Sequence, residues 1–124
     1  MTGETDLATL LRSMRPELTD GAYEFVTSTD PSVDEVAAAF AVVREVEGVT
    51  LVRPTVDPNP DAMACITLTV HSSLQAVGLT AAVATALAER GIACNVVAGF
   101  HHDHLFVPWL RRTDAIEVLR ALGA

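Results

Sequence analysis

Ala64-Cys65-Ile66-Thr67-Leu68-Thr69-Val70-His71 alternates in polarity, and Leu79-Thr80-Ala81-Ala82-Val83-Ala84-Thr85-Ala86-Leu87-Ala88-Glu89-Arg90-Gly91 does not. In the first segment Ile66, Leu68 and Val70 point inward, with Thr67, Thr69 and His71 on the other face, as a half-buried strand requires. In the second, Leu79, Val83 and Leu87 recur every four residues, which predicts a helix closed by Arg90 and a C-terminal Gly91. Ala93–Phe100 and Asp103–Pro108 read as two further strands. Thr113 is placed to cap a last helix, with Asp114 and Glu117 in its first turn and Ile116, Leu119 and Leu122 on its apolar face. The order from residue 64 onward is therefore β-α-β-β-α.

Upstream, Ala22–Ser28 alternates as a strand, with Tyr23, Phe25 and Thr27 on one side and Glu24, Val26 and Ser28 on the other. Asp30-Pro31-Ser32 is a turn. The alanines of 34–47 permit a helix on propensity alone, but Phe40–Val46 also pairs naturally with Val49–Arg53 across Glu47-Gly48. A short helix near Val33–Ala37 followed by a hairpin is the better reading. Thr5 is placed to cap a first helix whose Leu7, Leu10, Leu11 and Met14 share one face and which Pro16 stops. Thr55–Asp61 is a turn-rich connector, dividing the chain into residues 1–62 and 63–124.

Alternating strands and helices predict an α+β, ferredoxin-like βαββαβ fold, its antiparallel sheets covered by helices. A fourth strand is due after the last helix, but the sequence ends at Ala124. Spare strands in the first half are the economical source, giving two intertwined halves; exchange between subunits is the other source. A faint echo, strand then Ser-Thr at 22–29 and strand then Ser-Ser at 64–73, suggests duplication.

The 124 residues carry 16 acidic and 8 basic side chains, a formal charge of −8, and half are hydrophobic. Phosphate backbones and anionic membranes need clustered cations, so neither nucleic acid nor a membrane is an expected partner. All the basic residues are arginine, which removes Schiff-base, pyridoxal and phosphate-loop lysine chemistry. The acidic N-terminus does not resemble a signal peptide. The longest apolar run, Val36–Val43, is far short of the ~20 residues of a spanning helix. Cys65 and Cys94 sit in apolar runs, as reduced core residues of a cytoplasmic protein would.

Chemistry has few places to reside. Gln75–Thr80 joins strand to helix, where a glycine admits close backbone approach and free helix-start amides favour a carboxylate; Ser72 and Ser73 add hydroxyls. A purely steric role for the glycine is the competing reading. His101-His102-Asp103-His104 is the most polar cluster, and strand alternation pairs His102 with His104. Two histidines do not make a metal site without a third ligand, and a solvated hairpin tip is the simpler reading. Cys94 beside Asn95 invites a nucleophile, but an apolar strand raises a thiol's pKa. No catalytic residue, metal or cofactor is expected. Trp109-Leu110 reads either as a cap over the core or as a contact surface.

Val77–Val83, followed by Leu87–Val96 with its Gly91-Ile92, resembles the ACT domain: a loop glycine, an amphipathic helix, then Gly-Ile before the second strand. His102–Pro108 is similar to the ACT-like domains of amino-acid sensors and of aspartokinase regulatory regions. Glu45–Val52 resembles the degenerate partner domain of small two-ACT proteins, making residues 1–62 a degenerate half and 63–124 the fuller one. The short 55–62 connector leaves little room for a second helix in the first half. The resemblance implies a non-catalytic regulatory or sensor protein that binds an amino acid and forms a homodimer, with Trp109 and Leu110 as contact residues. By position, Val77, Gly78, Leu79 and Thr80 would meet the ligand's carboxylate, Asn95 would lie near it, and Asp103 would face a cationic group. Against the family pattern, His101 and His102 replace less basic residues, and Trp109–Arg112 replaces a polar, acidic turn. An assembly module without ligand, and a metal-binding protein using His101–His104, are the alternatives.

Overall fold

A computed structural model describes residues 6–69 and 78–124. The elements are α1 (Leu7–Arg12), β1 (Pro16–Leu18), β2 (Ala22–Ser28), α2 (Val33–Ala38), β3 (Ala41–Arg44), β4 (Val49–Thr55), β5 (Met63–Leu68), α3 (Leu79–Glu89), β6 (Asn95–Ala98), β7 (Asp103–Pro108) and α4 (Arg112–Leu122). The expected short helix and the hairpin across Glu47-Gly48 are both present, closed by paired Glu45–Gly48 backbone bonds. The strands form one antiparallel sheet ordered β3-β4-β2-β5-β7-β6, with β1 also on β5.

The missing strand of the C-terminal half is β1. Pro16, Glu17 and Leu18 pair with Leu68, Thr67 and Ile66, while β2 meets the same edge of β5 only where Tyr23 faces Met63. The first half thus lends its leading segment to the second, and the halves interlock through a shared sheet. α1 travels with β1: Leu10 and Met14 are buried beside Ile66, Val83, Leu87, Leu105 and Leu119. Burying such side chains contributes roughly 1.5–3 kcal/mol each, which anchors the N-terminal segment.

Strand alternation sorts the sheet into two faces. Ala64, Ile66, Leu68, Leu105 and Val107 belong to the core under α3 and α4. Cys65, Phe106 and Val52 form a second cluster with Tyr23 and Met63 on the opposite face. Leu79, Val83 and Leu87 are all buried, as their spacing predicts. Gly91, at φ +69°, ends α3 with the paired bonds of a Schellman turn, Gly91 N–H to Ala88 O and Ile92 N–H to Leu87 O.

Some boundaries differ from the sequence reading. Asp6 is the cap of α1, its Oδ2 accepting from Thr9 N (3.1 Å) and Thr9 Oγ1 (2.8 Å); a carboxylate also suits the positive helix start. Thr5 lies outside the described residues. Thr113 does not cap α4, because a 3₁₀ turn at Trp109–Arg111 runs straight into Arg112 and places Thr113 inside the first turn. Arg111 Nε instead donates to Asp114 Oδ2 at 3.1 Å. β6 is shorter than 93–100, since Gly99 N–H donates to His102 O and turns the chain early.

Candidate functional site

Gly78 precedes α3 at φ +98°, a left-handed conformation that glycine takes without strain. A Cβ there would lie 3.2 Å from Leu7 Cδ2, so among the described residues the atoms nearest that position belong to a side chain of α1. Leu79 turns into the core and Thr80 faces solvent. Ser72, Ser73, Val77 and His71 lie outside the described residues.

Asp103 opens β7 between Leu68 of β5 and Ala98 of β6, on the helix-covered side. α3 ends next to the turn that leads into β6, whose Asn95 pairs with Phe106, near the Met63 end of β5. Its 11 residues span about 16 Å back along the sheet. Gly78 and Asp103 therefore belong to the same end. Asn95 does not: it is exposed, near the other end of β6, and on the opposite face beside Phe106. Burial pushes the Asp103 carboxyl above its usual pKa, opposed by the positive charge available at His104 and His102.

The histidines also divide. His104 lies on the aromatic face, sharing a 3.0 Å hydrogen bond between Nδ1 and Thr67 Oγ1, with its ring edge-on to Phe40 at 5.0 Å. Burial holds its pKa below the ordinary value, as does the nearby His102, with Asp103 opposing. His102 is not in the strand as alternation expected; it sits in the tight turn after Gly99, and its buried Nδ1 has no hydrogen-bond partner among the described residues. Burial raises the pKa of both Cys65 and Cys94, which keeps each in the thiol form. Trp109 packs against the core with the Arg112 guanidinium 3.8 Å over its ring, whereas Leu110 is 79% exposed.

Two features were not singled out from the sequence. Tyr23, Phe25 and Phe40 all contact Phe106 edge-on at 5.4–5.5 Å, making an aromatic cluster with Phe25 and Phe40 partly exposed. The alternation of β2 signalled Tyr23 and Phe25, but nothing local announced Phe40 or Phe106. An open cavity of about 510 Å³ also lies between the β2–α2 turn and the β3–β4 hairpin, with Asp30, Ser32 and Arg44 in its wall.

ACT domain models match residues 2–60 and, separately, 63–121. A comparison with curated proteins finds no match. The crystal structure of a Vibrio cholerae protein of unknown function, described as a possible transport protein, is 46% identical over 89% of each chain, with a TM-score of 0.77. An Agrobacterium tumefaciens protein shares the fold at 18% identity over 87% of each chain, with a TM-score of 0.71. Two consecutive ACT matches, a ferredoxin-like arrangement and a near-full-length relative agree, and the chain belongs to the ACT domain family.

Proposed function

We propose that the protein is a non-catalytic regulator that binds an amino acid at the end of the C-terminal half where α3 begins. ACT domains are regulatory domains that take small ligands, which supports the general role. The observation that carries the specific reading is the convergence of Gly78 and Asp103 on one end of the sheet. Backbone at Gly78–Thr80, with Ser72, Ser73 and Val77 from the preceding connection, would receive the carboxylate. Asp103, half-buried, would face the ammonium or another cationic group, where charge-assisted hydrogen bonds are strongest. Asn95 contributes from a neighbouring copy or not at all, because its own strand directs it away. In this reading residues 1–62 are the degenerate half and 63–124 carry the ligand. The protein works in the cytoplasm as a homodimer; no helix among the described residues is long and apolar enough to cross a membrane.

A thermal-shift screen of the full chain against the twenty amino acids tests this, since a ligand of the native state raises the melting temperature. The expected result is a shift with at least one amino acid that Asp103→Asn largely removes. Gly78→Val is a poorer probe, because φ +98° and the contact with Leu7 make it a folding mutation as well. The second reading, an assembly module without ligand, is favoured by Leu7 resting on Gly78 and by the exposed Leu110. No shift with any amino acid, together with a dimer by light scattering, would select that reading. A species of 13.1 kDa at every concentration would remove the homodimer.

A further inference from the structure

The arginines of this acidic chain are unevenly used. Arg53 pairs with Glu24 at 2.7 Å and reaches Glu35 at 3.8 Å, Arg111 pairs with Asp114, and Arg112 covers Trp109. Arg12, Arg15 and Arg120 instead line one open concavity of about 200 Å³, floored by Met14, Leu119 and Gly123. None of these three forms a salt bridge with a carboxylate among the described residues; Arg12 only exerts a longer-range attraction on Asp6. Three exposed arginines around one concavity, none ion-paired among the described residues, run against the distribution that a formal charge of −8 alone would produce.

A second observation is independent of charge. Arg15 has φ +46°, the only described residue other than glycine with a positive φ. Its carbonyl is held there by Thr69, whose N–H (3.4 Å) and Oγ1 (2.9 Å) both donate to it. Glycine adopts this conformation freely, while a side chain makes it costly, so the backbone gives no reason for arginine at this position. Arg12 and Arg120 lie near the C-terminal ends of α1 and α4, where a cation complements the helix dipole. Arg15 lies outside both helices, and that account does not reach it.

We propose that Arg12, Arg15 and Arg120 form an anion site for a phosphate monoester. A phosphate monoester offers three terminal oxygens and close to two negative charges at neutral pH, enough acceptors for three forked guanidiniums, whereas a carboxylate has two oxygens. The concavity is smaller than the ~300–1,000 Å³ of ordinary small-molecule pockets, so it takes the phosphate and leaves the rest of the ligand in solvent. The site lies beside β1 at the same end of the sheet as Asp103, with β5 between them, because Pro16 and Asp103 pair with opposite sides of Leu68.

Calorimetric titration of the full chain carrying Asp103→Asn, which disables the proposed amino-acid site, with phosphoserine, inorganic phosphate and acetate at one fixed low ionic strength tests the assignment. Phosphoserine is expected to bind saturably and at least as tightly as inorganic phosphate, with acetate far weaker. Arg15→Gly is expected to weaken phosphoserine about 10-fold or more while the melting temperature holds or rises, because it relieves backbone strain as it removes a guanidinium. Arg120→Ala is expected to weaken binding similarly, and Arg90→Ala, at the end of α3, to leave it unchanged. The proposal is overturned by an absence of saturable binding, by acetate matching phosphate, or by inorganic phosphate binding where phosphoserine does not. It is equally overturned if binding survives Arg15→Gly and Arg120→Ala, or falls as much with Arg90→Ala. A melting temperature that drops in Arg15→Gly with binding intact would assign Arg15 a structural role instead.

Discussion

The two halves of the sheet follow one family pattern and are stabilised in different ways. The C-terminal half has two 11-residue helices, α3 and α4, pressed onto β5 and β7, with Leu79, Val83, Leu87, Ile116 and Leu119 all buried. The N-terminal half has only α2, six residues long and with no buried side chain, on its β3-β4-β2 ribbon. α2 is held locally, by the reciprocal Ser32–Glu35 capping box and by the reach of Arg53 to Glu35. The helix and strand that do add apolar cover from residues 1–62, α1 and β1, are spent on the other half. Two ACT-type units in one chain can therefore rest on unequal cores, with most of the apolar cover concentrated on one of them.

That asymmetry makes graded predictions. Leu10→Ala, far from the C-terminal half in sequence but buried in its core, should cost about 2–5 kcal/mol in urea unfolding. Val36→Ala, on the partly buried face of α2, should cost under ~1 kcal/mol; equal losses at the two sites would break the comparison. Gly123→Ala should cost about 1–3 kcal/mol, since its Cβ would stand 2.7 Å from the Leu11 carbonyl oxygen and force α1 away from α4. Arg53→Ala removes an ion pair whose side chains are 39% and 28% exposed, so its effect should not exceed ~1 kcal/mol and should shrink in salt.

The smallest effect is a pH dependence, read from chemical unfolding at a series of pH values. His104 holds its proton less readily in the folded protein than the 6.5 of a free imidazole, chiefly because it is buried. The unfolded chain therefore binds the proton first, and stability should fall as pH drops through 6.5 toward the lower folded value. His104→Gln should flatten that slope. Asp103 acts in the opposite sense and in a more acidic window: its folded pKa is raised above 3.8, so its contribution is lost as pH rises through the raised value.

Sequence reading reached the C-terminal half because its signals are local. The Leu79-Val83-Leu87 spacing, the Gly91 stop and the alternation of residues 64–68 each report their own element. The partner of β5 was beyond such signals. Pro16-Glu17-Leu18 is too short for periodicity to register, and its pairing with Ile66–Leu68 spans about fifty residues. The sequence pattern could say that a strand was needed and that the first half was its economical source, but not which segment supplies it. The proposed ligand residues show the same limit: Gly78 and Asp103 share an end through topology, while the parity of β6 turns Asn95 to the other face. Phe40 entered the aromatic cluster through packing against Tyr23 and Phe106, which no window of sequence contains.

The dependence of the C-terminal half on α1 and β1 is open to one direct measurement: equilibrium urea unfolding of residues 62–124 alone beside the full chain, with light scattering to report association. Without Leu10, Met14 and the Pro16–Leu18 strand, the shortened chain should show no cooperative transition as a monomer, or should associate through the exposed edge of β5. A monomeric, cooperative transition with the stability of the full chain would contradict the account, because the borrowed strand and helix would then contribute nothing to the half they complete.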